Sequence, residues 1–316
     1  MQDGPRNKKT LTSLAARLGR LPSDKKRVAL EMSAALAGVS LRVSRELVEA
    51  VPRAAKLLSA EDLRLWGEMG RRLAMGNADI GTAFFAEGVT GLKPVPEIAR
   101  AAVFQICTRQ LVLSSSTALE TFRAVPNIAR EVRDPQLLAE IFAVAFEIAQ
   151  RSAKHSAEFL QHTPAVAAAL RSAGSEEVSA EAIALARQFA ERTGGMTADL
   201  WAGLPDALAK VSAPNAVRLL RCAGQFLEFG GSVTLHFVAS GSDVLGAADA
   251  VFDDWKLVAR TVARHGNAVL IAFLRATPKV IAALTRNKRE DHSEAISRVL
   301  QLTAKIAVSD AESALA

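Results

Sequence analysis

The chain has 316 residues, half of them hydrophobic, with no Tyr. It is long enough to bury a sizeable core, and length alone would allow about two domains. Its net charge of +6 sits wholly in residues 1–27, where eight bases face Asp3 and Asp24, leaving 31 bases against 31 acids elsewhere out of 39 and 33. A groove-lining nucleic-acid protein would spread its excess along a face.

Alanine and leucine dominate the composition, which favours helix. The N-terminus lacks the apolar core of a signal peptide. No segment reaches the roughly 18 uncharged apolar residues of a membrane span, so a soluble cytoplasmic protein is expected.

Residues 1–24 read as a basic arm with one short helix, Leu11 to Leu18, ended by Gly19 and Pro22. The remainder, 25–316, reads as helical hairpins of about 37 residues, each a helix, a polar turn and a second helix. The first copy (25–58) has its helix from Lys26 to Leu36 and its turn at Gly38-Val39-Ser40. Ser59 with Asp62 predicts the cap of the second copy (59–93), which turns at Gly76-Asn77. The third (94–133) follows Pro94-Val95-Pro96 and turns at Ser114 to Ser116. In the fourth (134–173), Asp134-Pro135 supplies a cap and a first-turn proline, and Arg151-Ser152 the turn. The fifth (174–212) turns at Gly194-Gly195 and the sixth (213–249) at Gly230-Gly231. Ser232 to Val238 favours a strand on propensity, yet register with the other copies assigns it to a helix. The seventh (250–286) is the clearest, with Asp253-Asp254 read as a cap and His265-Gly266-Asn267 as the turn.

Proline recurs late in the second helix, at 52, 126, 164, 205 and 278, with Ser242 in its place in the sixth copy and position 89 in the looser second. A bulky apolar residue precedes it by four or five positions, as in Phe122, Phe159, Trp201 and Phe273. Proline in a helix interior costs about 3 kcal/mol, so it is expected to mark a kink or to open a short third helix. A period near 37 with two helices per unit predicts an all-α fold, an α-solenoid of seven to eight repeats of the HEAT or TPR kind. The eighth copy, 287–316, is cut short after a helix predicted from Ser293 to Ala307, which suggests a fragment boundary or an end covered by a partner.

Few residues offer chemistry. Cys107 and Cys222 fall in non-adjacent repeats and read as buried, reduced thiols. The histidines 155, 162, 236, 265 and 292 are dispersed, without carboxylates or cysteines at metal-ligand spacing. Gly241 and Gly246 have the spacing of a P-loop, but Ala247 and Ala248 stand where Lys and Ser/Thr are required. Trp66, Trp201 and Trp255 sit at apolar repeat positions and read as core. No catalytic residue, cofactor or metal ligand is assigned, and the chain reads as a non-enzyme.

Two resemblances bear on function. Ala35 to Glu49, with Ala-x-x-Gly-Val-Ser followed by Val-Ser-Arg, resembles the helix-turn-helix of bacterial repressors of the LacI type. The same segment is the turn of the first repeat, and the chain lacks that family's α/β effector domain. DNA recognition through it would use the basic arm and first hairpin: Lys8, Lys9, Arg17, Arg20, Lys25, Lys26, Arg27, Arg42 and Arg45.

The runs Leu65 to Ala74 and Phe273 to Val280 resemble the helical region preceding the von Willebrand factor A domain in bacterial proteins of the NorD/CbbO type. That resemblance implies a scaffold working with a MoxR-class AAA+ ATPase in enzyme maturation or activation, with the ATPase or its client as protein partner. The A domain's Asp-x-Ser-x-Ser is not present; Asp291-His292-Ser293 matches only its start, so no metal ligand carries over.

Overall fold

A computed structural model describes residues 16, 18–286 and 293–309. The protein is all-α, with no strand among the described residues. Most of the arm and the Leu11 helix, with Lys8, Lys9 and Arg17, lie outside them, as do residues 287–292 and 310–316. The chain divides into two compact units, Met1–Gln161 and His162–Ala316.

The first unit contains α1 (Ser23–Ala37), α2 (Leu41–Ala54), α3 (Ala60–Gly76), α4 (Ala78–Glu87), α5 (Glu97–Leu111), α6 (Ser115–Glu131), α7 (Pro135–Ala149) and the start of α8 (Ala153–Ala173). Local chemistry sets these starts. The side chains of Ser40, Ser59, Asn77 and Ser114 each accept a backbone N–H in the first turn of the helix that follows, and Asp134 does so ahead of Pro135. Within the unit α1 packs on α3, α3 on α5 and α5 on α7, while α2 packs on α4. First helices therefore stack on first helices, which buries the apolar stripe that each hairpin leaves open.

The second unit contains the rest of α8, then α9 (Glu176–Arg192), α10 (Met196–Leu208), α11 (Ala213–Phe226), α12 (Gly231–Ala248), α13 (Phe252–Val262), α14 (Asn267–Arg286) and α15 (Ser293–Ser309). Here α10 packs on α12 and α12 on α14, while α9 packs on α11 and α13 on α15. Gly230 and Gly266 adopt φ of 108° and 107°, a region L-residues avoid, and so turn the chain sharply into α12 and α14. Ser232 to Val238 is helical: Val233, Phe237 and Val238 are buried on one face, and that burial overrides strand propensity.

Three sequence expectations change. No short third helix begins at the prolines: Pro52, Pro126, Pro164, Pro205 and Pro278 all lie inside continuous helices. Asp253 and Asp254 are not a cap, because α13 starts one residue earlier. Asp253 instead pairs with Arg218 and Lys256, and Asp254 accepts the Ser297 hydroxyl. In the second copy the helix ends at Glu87, before position 89.

Asn267–Thr285 within α14 is long and apolar enough to cross a membrane by length and composition. Its buried face, Leu270, Phe273, Leu274, Thr277 and Ile281, recurs at helical spacing, while Arg275 hydrogen-bonds His236 on the other side and Lys279 is exposed. That division is the pattern of an amphipathic helix packed on its neighbours.

Candidate protein-docking cleft

The helix α2 buries Val43, Leu47, Val51 and Ala54, a stripe at helical spacing that seats it on the core. The adjacent stripe, Glu46, Glu49, Ala50 and Arg53, faces a cleft of about 530 Å³. The opposite wall is the end of α4. That helix has 10 residues, whereas its counterparts α6 and α12 have 17 and 18.

Two features shorten α4. Gly88, with φ of 67°, closes the helix by donating its N–H to the Phe84 carbonyl, the left-handed termination that glycine makes cheaply. A 3-10 turn at Thr90–Leu92 then takes over the packing against α6. Space that a longer helix would occupy is left as the cleft.

The floor is apolar. Phe85 is fully buried and stands edge-on to Trp66, with centroids 4.9 Å apart at 88°. It reaches that position because Gly70 of α3 has no side chain: a Cβ there would collide with the Phe85 ring. Ala50, Ala54 and Val89 complete the floor.

The rim is charged and unequally satisfied. Glu49 takes Arg45 at 3.0 Å, and Glu87 pairs with Arg123. The carbonyls just beyond α2 are also taken, Ala55 by Lys25 at 2.8 Å and Leu57 by Arg100 at 2.6 Å. Arg53, Lys56 and Lys93 line the same cleft and are exposed, and their side chains make no hydrogen bond or ion pair among the described residues.

The residues expected to contact nucleic acid do not gather in this way. Arg42 pairs with Asp79 at 2.8 Å and Arg27 with Glu31 at 3.8 Å; Arg45 and Lys25 are engaged as above. Arg20 and Lys26 are exposed. Ser44 of the helix-turn-helix resemblance is buried and donates to the Ser33 carbonyl of α1 at 2.8 Å, so it holds the hairpin together. Arg53, Lys56 and Lys93 were not singled out by the sequence; the signal available was the missing proline at position 89 and the glycine beside it.

The other chemistry-bearing residues are structural. Gly241 and Gly246 lie within α12, where no phosphate loop can form; a Cβ on Gly241 would meet Leu219 and Phe252. Cys107 and Cys222 are free and buried, and burial pushes both thiols up, which keeps them protonated and unreactive. Trp66, Trp201 and Trp255 are fully buried core residues. Among the described residues no three His, Cys, Asp or Glu side chains come together to hold a metal. Comparison of the chain with known protein families, with curated proteins and with solved structures finds no match.

Proposed function

We propose that this chain is a non-enzymatic helical-repeat scaffold that docks a protein partner in the cleft between α2 and α4. The observation that carries this reading is the combination of an apolar floor with rim bases that the fold itself does not use. Groups left in this way are available to a partner, and repeated hairpins present such surfaces without needing catalytic residues. The resemblance to the NorD/CbbO-type helical region directs the choice of partner to a MoxR-class AAA+ ATPase or its client enzyme in the bacterial cytoplasm.

The test is a pull-down from bacterial lysate, treated with nuclease, at two salt concentrations, using the chain and an Ala50→Arg variant that fills the floor. A protein retained by the parent chain and lost by the variant is the expected result; equal retention by both removes the cleft as the docking site. A second reading, nucleic-acid binding through the basic arm and first hairpin, is favoured by the exposed Arg20 and Lys26. It requires recovery of nucleic acid that falls steeply with salt.

A further inference from the structure

Resting on the docking reading above, we infer that the occupant of the α2–α4 cleft is an acidic amphipathic protein segment, whose apolar side chains cover Ala50, Leu57 and Ala86 while its carboxylates meet Arg53, Lys56 and Lys93. Bases beside helix ends commonly serve the terminal carbonyls. Here that role is filled: the Ala55 and Leu57 carbonyls accept from Lys25 and Arg100.

Two of the three rim acids are compensated, Glu49 by Arg45 and Glu87 by Arg123, and only Glu46 has no side-chain partner among the described residues. Counting these two partners with the lining residues gives five bases (Arg45, Arg53, Lys56, Lys93, Arg123) against three acids (Glu46, Glu49, Glu87), an excess of two positive charges. The surplus belongs to groups with no partner among the described residues, so an incoming carboxylate breaks no existing pair. A basic segment would find only Glu46 open to it without displacing Arg45 or Arg123, and it would face the three free bases as like charges.

The apolar floor sets the second requirement. A segment carrying only acids would leave the apolar surface of Ala50, Leu57 and Ala86 wet, and one carrying only apolar residues would bury the bases unpaired, at a cost. An amphipathic segment satisfies both. The volume of about 530 Å³ falls in the roughly 300–1,000 Å³ range of sites that enclose small ligands, so a few side chains fill it.

The experiment uses the full chain and three fluorescent probes: a peptide alternating Glu with Leu and Phe, the same peptide with Lys for Glu, and a 20-nucleotide single strand. Fluorescence polarisation is expected to show binding of the acidic peptide and at least about tenfold weaker binding of the basic one. The double variant Arg53→Glu, Lys56→Glu, with circular dichroism confirming its fold, is expected to reverse that order. Equal affinity for both peptides, or an unchanged order in the variant, overturns the proposal, as does binding of the oligonucleotide in place of the acidic peptide. Failure here is distinguishable from failure of docking itself. A partner protein lost by Ala50→Arg but kept by Arg53→Glu, Lys56→Glu preserves the cleft and sinks the acidic segment; one kept by both variants sinks the cleft as well.

Discussion

The indole N–H of Trp255 donates to the Thr277 hydroxyl at 2.7 Å, and Trp201 donates to Thr163 at 3.1 Å. Both acceptors immediately precede a late proline, Pro278 and Pro164. The second copy has neither Thr nor Pro at that point, and the equally buried Trp66 N–H has no hydrogen-bond partner in the structure. Replacing Thr277 with Val keeps the shape but strands the Trp255 donor, so an expected loss of about 1–3 kcal/mol should be visible in urea unfolding. His236 is a second sensitive position. Burial, and then the neighbouring Arg275 charge, hold its pKa below the ordinary value. The folded state therefore resists protonation while the unfolded chain accepts it, and stability should fall as pH drops below about 6.5. In His236→Gln the urea midpoint should change less between pH 7.5 and 5.5 than in the parent; an equal change would remove His236 as the cause.

At the scale of helices, α3 and α4 show how small residues shape a site. Gly70 admits the Phe85 ring, and the backbone of Ala74 approaches Gly81 so closely that a Cβ there would clash with it. Gly70→Ala should cost about 1–3 kcal/mol through overpacking. It should also weaken binding in the cleft, because Phe85 must move out of the floor; peptide titration alongside thermal unfolding separates the two effects. The in-helix prolines make a different case. Pro164 and Pro278 offer no N–H to the carbonyl four residues earlier, and each helix continues regardless because apolar side chains on both sides of the proline are buried, Phe159 and Val166 in α8, Phe273 and Ile281 in α14. Pro164→Ala and Pro278→Ala should each add about 1–3 kcal/mol of stability. Effects of opposite sign would show that the two positions are not equivalent in their repeats.

At the scale of the whole molecule, the chain carries its net positive charge in residues 1–27, while many remaining charges pair between successive hairpins, as in Arg42 with Asp79, Lys210 with Asp243 and Arg260 with Glu228. Exposed pairs of this kind contribute little each, about 0–1 kcal/mol, and the excess of bases over acids stays with the N-terminal region. Arg20→Gln with Lys26→Gln should therefore lower retention on an oligonucleotide column while leaving protein capture intact. Loss of protein capture in that variant would move the docking surface to the first hairpin.

Periodicity made the helices legible because a helix that buries one face must repeat its apolar residues every three or four positions, and Ser, Asn, Asp and Gly at the turns have local preferences that need no tertiary context. Thus the caps at Ser59 and Asp134 and the turns at Gly230 and Gly266 could be placed from the residues themselves. Proline's local preference pointed to a kink or a third helix, and each helix continues through its proline. The cleft depended on packing in another way: the consequence of ending α4 at Gly88 is a space whose walls come from residues about 40 apart in the chain. That the carbonyls just beyond α2 need neither Arg53 nor Lys56 depends on two distant side chains, Lys25 and Arg100, which take them. Those are contacts between hairpins, and a sequence pattern that reports each helix's own faces carries no record of them.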